Sequence, residues 1–95
     1  MSAYVTATVK VKNQEKLKQY IAAVPATIAA HGGEMISRGK VSKVLAGAAD
    51  YQICAAFRFP TMEVLEGWYN SPEYQELIAL RDEGAEVNII ALNEF

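Results

Sequence analysis

The chain has 95 residues, which is one domain at the small end of the usual size range. Hydrophobic residues make up 52% and charged residues 21%, a balance that excludes disorder and fits a packed core. A net charge of -2 disfavours nucleic acid as a partner, because a polyanion selects a basic surface.

Residues Ala3 to Lys12 alternate, with Val5, Ala7, Val9 and Val11 on one face and Tyr4, Thr6, Thr8 and Lys10 on the other. Period two with β-branched residues predicts a strand with one core face. Asn13 then offers a capping oxygen to a helix. Leu17, Tyr20, Ile21, Val24 and Ile28 follow at spacings of three and four, so they share one helical face. Pro25 lies inside that pattern and predicts a kink or a break, since it has no N–H for the carbonyl of Ile21. Gly32 and Gly33 end the helix, one of them in the left-handed conformation that glycine adopts without strain.

A short strand is expected over Glu34 to Ser37, continued by Lys43 to Leu45, with a bulge or turn at Arg38, Gly39 and Lys40. Residues 46 to 50 read as a hairpin loop. Tyr51 to Phe59 alternates again and predicts the central strand, closed by Pro60. Thr61 caps a helix carrying Val64, Leu65, Trp68 and Tyr69. Asn70-Ser71-Pro72-Glu73 is a restart signal: Ser71 caps, Pro72 takes the first helical position, and Glu73 meets the positive end of the helix dipole. Tyr74, Leu77, Ile78 and Arg81 line the next helical face, Gly84 ends it, and Glu86 to Leu92 forms the last strand.

The order β-α-β-β-α-β predicts a single α+β, ferredoxin-like domain over residues 1–95, with a four-stranded antiparallel sheet and helices on one face. The bare face would carry Tyr4, Thr6, Thr8, Gln52, Cys54, Ala56, Ile90 and Leu92. That surface is too apolar to stay in water, so a homodimer is expected.

No apolar run reaches the roughly 20 residues of a membrane helix, and the first residues show no secretory pattern, so a cytoplasmic protein with no membrane partner is expected. One cysteine allows no internal disulfide, and one histidine with one cysteine argues against a metal site. No phosphate-binding glycine pattern occurs, and no cofactor is implied. Residues 1–50 hold seven basic and three acidic side chains, whereas residues 51–95 hold two basic and eight acidic. Two differently charged solvent faces account for this, or a surface through which two copies attract each other.

Five side chains are candidate ligand contacts. His31 is the one imidazole of the chain and reads either as a general base or as a cation at a helix C-terminus. Arg38 either clamps a carboxylate or phosphate or pairs with Glu34. Tyr69 and Tyr74 offer phenols beside Trp68 at the helix restart, as pocket wall or as core. Arg81 stands on an apolar stripe and needs a partner: a ligand anion, Glu73 or Glu66, or a second subunit. Cys54 reads as a small buried hydrophobe.

The run Trp68-Tyr69-Asn70-Ser71-Pro72-Glu73-Tyr74-Gln75-Glu76-Leu77, followed by Leu80-Arg81, resembles the domain-of-unknown-function family numbered thirteen-thirty, of the dimeric α+β barrel superfamily. Ala3-Tyr4-Val5, the run Ala22 to Thr27, and Gly32-Gly33 through Arg38-Gly39 resemble it too. The resemblance implies a ferredoxin-like protomer whose sheet meets a second one in a dimer. It implies no particular activity. The superfamily includes cofactor-independent monooxygenases, haem-degrading enzymes and lactone isomerases, an analogy of fold only. The haem-degrading pattern is missing, since Thr6 and Thr8 stand on the first strand where it has an Asn. Two functions are therefore expected to compete: a small-molecule protein with a cleft between sheet and helices, using cofactor-free acid–base chemistry, or a non-catalytic dimerisation module with a filled protomer.

Overall fold

The computed structural model describes all 95 residues. Strand β1 spans Ala3–Val11, helix α1 Gln14–Ala30, β2 Glu34–Lys40 and β3 Ile53–Phe59. Three short helices follow, α2 Met62–Tyr69, α3 Pro72–Gln75 and α4 Ile78–Gly84, and β4 Ala85–Asn93 closes the chain. All strand pairs are antiparallel, in the order β2-β3-β1-β4. This is the ferredoxin-like arrangement expected from the alternation and caps. No helix is long and apolar enough to cross a membrane.

The alternation of β1 becomes a division of labour. Ala3, Val5, Ala7 and Val9 are buried beneath the helices, while Tyr4, Thr6 and Thr8 face the other side, half-buried. Phe57 and Phe59 from β3, Leu17, Tyr20, Val24 and Ile28 from α1, and Leu65, Trp68 and Tyr74 complete the core. The caps act as expected. Asn13 Oδ1 accepts from Lys16 N–H, Thr61 Oγ1 from Val64 N–H and Ser71 Oγ from Tyr74 N–H. Gly32 takes φ +74° directly after α1.

Four expectations need correction. Of the kink or break expected at Pro25, the break does not occur: α1 is continuous from Gln14 to Ala30. Proline in a helix interior costs about 3 kcal/mol, and burial of Tyr20, Val24 and Ile28 on either side of it offsets that loss. Strand β2 continues through Arg38, Gly39 and Lys40 to its end, and its bulge lies between Met35 and Ser37. Residues 43–45 are not strand, because the ladder closes earlier, where Val41 N–H donates to the Gln52 carbonyl at 2.8 Å. Cys54 is exposed, not buried, because its side of β3 has no cover within the protomer.

The second helical stretch falls into three pieces instead of two, and its return is tied to the front of α1. The Gly84 carbonyl accepts from both Lys12 N–H (2.9 Å) and Asn13 N–H (3.0 Å). A Cβ at Gly84 would lie 2.7 Å from the Leu17 nitrogen, closer than backbone atoms tolerate. Gly84→Ala is therefore expected to cost about 1–3 kcal/mol of stability, measured by urea denaturation, although alanine is the better helix former. An unchanged midpoint would show that α1 and α4 are not in backbone contact.

Candidate functional site

The helix layer is narrower than the sheet. No residue of β2 is buried, whereas β1 and β3 carry the core. A cleft of ≈ 60 Å³ lies between α1 and the strands on that side. Of its 14 lining residues 12 are hydrophobic, so water inside it is poorly held. Val24 and Pro25 form the helix side, Ala7 and Ala55 the sheet floor, and Trp68 the back. Pro25 thus exposes its ring to the cleft instead of breaking the helix.

The cleft adjoins a wider groove of ≈ 590 Å³, with which it shares Ile21 and Ile53. Val11, Gln14, Lys18, Lys40 and Gln52 border that groove. Arg38 lies at the rim of the cleft, paired in register with Ala55 of its floor. Its expected partner Glu34 is engaged elsewhere, by the Arg58 guanidinium, and Arg38 has no carboxylate within 4.0 Å.

Behind the cleft stands an aromatic cluster. The Trp68 ring is 5.3 Å from Phe59, 4.7 Å from Tyr74 and 6.0 Å from Tyr69 between centroids. Tilted and edge arrangements at these distances are the favourable ones for aromatic rings. Trp68 Nε1–H donates to Thr27 Oγ1 (3.0 Å), and the Thr27 hydroxyl donates to the Val24 carbonyl (2.7 Å). Two polar groups buried under α1 thereby satisfy each other.

Arg81 joins the cluster from α4. Its Nη1–H groups donate to the Tyr69 and Tyr74 hydroxyls, both at 3.1 Å, and its Nε–H to Asp82 Oδ1 at 3.0 Å. Its side chain is only 13% exposed. Burial by itself favours the neutral form, but the hydrogen bonds to Tyr69, Asp82 and Tyr74 outweigh it and hold the guanidinium charged. The partner of Arg81 is therefore a pair of phenols with Asp82, and neither Glu73 nor Glu66.

The Tyr74 hydroxyl also meets that of Tyr20 at 2.8 Å. Burial first, and Tyr74 second, push the Tyr20 phenol well above its ordinary range, so it stays protonated. Tyr74 accepts from Arg81; if it also donates to Tyr20, the remaining hydrogen of the pair is on Tyr20, the member that lines the cleft. Helical spacing alone marks Tyr20 as one of the apolar face of α1. The structure adds a signal that the spacing lacks, a hydroxyl in the bonding chain of the half-buried Arg81 cation.

His31 stands apart. It caps the C-terminus of α1, and its Nε2 lies 3.3 Å from Glu73 Oε2, linking α1 to the first turn of α3. It does not line the cleft. The bond to His31 is the first cause that holds the Glu73 carboxyl below its ordinary value. The candidates thus fall into three groups: Tyr69, Tyr74 and Arg81 in one cluster, Arg38 at the cleft rim, and His31 with Glu73.

Comparison with known proteins agrees with this architecture. The model of the family described as a domain of unknown function, DUF1330, matches residues 2–95. The chain belongs to that family. No curated protein matches it in sequence. Among solved structures it is similar to a protein of unknown function from Rhodopseudomonas palustris, with 15% identity and a TM-score of 0.82 over 99% of this chain and 82% of that one. A dimeric ferredoxin-like protein of unknown function from Jannaschia sp. CCS1 shares 10% identity at TM-score 0.74, over 99% and 100% of the two chains. SnoaB, a cofactor-independent oxygenase from Streptomyces nogalater, shares 7% at 0.73, over 99% and 93%. At these identities the likeness is one of fold.

Two predictions follow the bonding of the site. Thr27→Val keeps the shape and strips the Trp68 indole of its acceptor; a loss of about 1–3 kcal/mol is expected in denaturation followed by tryptophan fluorescence. No loss would mean that the indole N–H has another partner. Glu73 has a folded pKa below its unfolded one, so its contribution is present above roughly pH 4–5 and disappears as the pH falls through the folded value. Glu73→Gln should therefore be less stable than the parent at neutral pH, with the gap closing in acid; a gap independent of pH would contradict the His31 pairing.

Proposed function

We propose that the chain is a homodimeric protein that binds a small organic ligand in the cleft between α1 and the sheet. The observation that carries this reading is the cleft itself: apolar walls left open beside an uncovered strand, with Tyr20 in its lining and a charged network behind it. Apolar surface facing water is unfavourable by about 25 cal/mol per Å², and an apolar occupant recovers that term. A solid interaction module has no use for such an opening.

The chemistry that this lining supports is acid–base work without a cofactor, of the isomerase or monooxygenase type. That chemistry requires the Tyr20 hydroxyl, protonated and bonded to Tyr74, to turn towards the cleft and donate to an oxygen that gains charge on the ligand. The Arg81 cation, bonded to Tyr74, would stabilise charge that develops at Tyr20. SnoaB, which shares the fold, is itself a cofactor-independent oxygenase, and this supports the reading by analogy.

The homodimer is supported by the outer face of the sheet. Ile90 is 55% and Leu92 45% exposed, beside half-buried Tyr4, Thr6, Thr8 and Ala56. The similarly folded Jannaschia protein is dimeric. Cys54, the lone cysteine, sits on this face. Its reaction with a thiol reagent should be slow in concentrated protein and accelerate on dilution, as a covering copy leaves. A rate independent of concentration, with a monomer in sedimentation, would overturn the dimer.

The ligand reading is tested by a thermal-shift screen of small metabolites on the parent and on Tyr20→Phe. A ligand at 100 times its Kd adds about 2.7 kcal/mol to the stability of the native state. A hit on the parent that is weakened in Tyr20→Phe, with folding intact, is the expected result. Hits that Tyr20→Phe leaves unchanged would remove Tyr20 from the site.

A further inference from the structure

The five unpaired cations of the chain are unevenly placed. Lys10, Lys16, Arg58 and Arg81 each have a carboxylate within 4.0 Å, whereas Lys12, Lys18, Arg38, Lys40 and Lys43 have none. Three of those five, Lys18, Arg38 and Lys40, border the cleft and its adjoining groove. No aspartate or glutamate lines either one. This happens in a chain whose acidic residues outnumber its basic ones, eleven to nine.

We infer that the cleft takes an amphipathic organic anion, with its apolar body against Val24, Ala55 and Trp68 and its oxyanion head at the rim by Arg38. The inference rests on the reading of the cleft as a ligand site and names the class of ligand. Three features support it. The depth of the cleft is apolar, so it selects a hydrocarbon or aromatic body. Arg38 extends from β2 on the same side of the sheet as the cleft floor, in register with Ala55, and its fork matches a carboxylate or sulfonate with two parallel hydrogen bonds. Lys18 from α1 and Lys40 from β2 add positive charge beside the groove from both of its walls. An uncharged ligand would leave all three cations without a counter-charge. A cationic one would be repelled.

The test uses two probes with the same rings. 1-Anilinonaphthalene-8-sulfonate carries an anionic head, and N-phenyl-1-naphthylamine lacks it; both brighten in apolar surroundings. The sulfonate should bind about tenfold more tightly, and this preference should fade as salt is raised. Arg38→Ala, at an exposed position of β2, should lower the affinity for the sulfonate towards that of the neutral probe and remove most of the preference between the two. Lys18→Ala combined with Lys40→Ala should lower sulfonate affinity in the same direction. Equal binding of both probes, or sulfonate binding indifferent to Arg38→Ala, would overturn the anion while leaving the cleft in place. Binding of neither probe would remove the cleft as a ligand site, and the inference with it.

Discussion

The helix layer of this protein is too narrow for its sheet, and most other features depend on that mismatch. One long helix and three short ones must cover four strands. They bury β1 and the end of β3 and leave β2 without a single buried residue. The uncovered margin is the mouth of the cleft. The opposite face of the sheet has no cover at all within the protomer, and there the apolar side chains of Ile90 and Leu92 stand exposed. One shortage of covering surface thus leaves both the cleft beneath α1 and the bare outer face of the sheet.

What keeps the cleft from collapsing is the stiffness of its back wall. Trp68 is wedged between Phe59 and Tyr74 and pinned to α1 through Thr27. Tyr74 is held by Tyr20 and by Arg81, whose charge is satisfied by two phenols and Asp82. Every buried side-chain nitrogen and oxygen has a partner. A fully bonded polar network inside an aromatic cluster fixes geometry more tightly than apolar packing does, because each lost bond leaves a costly unpaired group. The break between α2 and α4 serves this network: α3 lets Tyr69, Tyr74 and Arg81 approach one another from three segments.

Much of the fold was legible in the residues. Alternation over Ala3 to Lys12, the caps at Asn13, Thr61 and Ser71, and Gly32 after α1 are local signals, each decided by neighbours in sequence. Where the structure departs from the local signal, tertiary surroundings decide against it. Pro25 is a helix breaker taken alone, yet its neighbours Tyr20, Val24 and Ile28 are buried against the core. Arg38-Gly39-Lys40 looks like a turn, yet pairing with β3 keeps it extended. Cys54 looks buried by type, and its exposure depends on a covering surface that the protomer lacks. At the site, Tyr69 and Tyr74 are legible as neighbours of Trp68 because the three lie within seven residues of one another, whereas the bonds of Arg81 to both phenols are not. Nor is the part of Tyr20, since its bond to Tyr74 spans 54 positions. The unpaired state of Arg38 was equally hidden, because it depends on Glu34 choosing Arg58.

The central claim is that the space between α1 and the sheet is open and not packed core. Ala55→Leu tests it most directly, since the added branch points from the floor into that space. If the cleft is open, the variant should denature within about 0.5 kcal/mol of the parent or be more stable, because a new apolar side chain finds room and partners. A loss of about 1–3 kcal/mol, the usual result of overfilling a packed interior, would contradict the account.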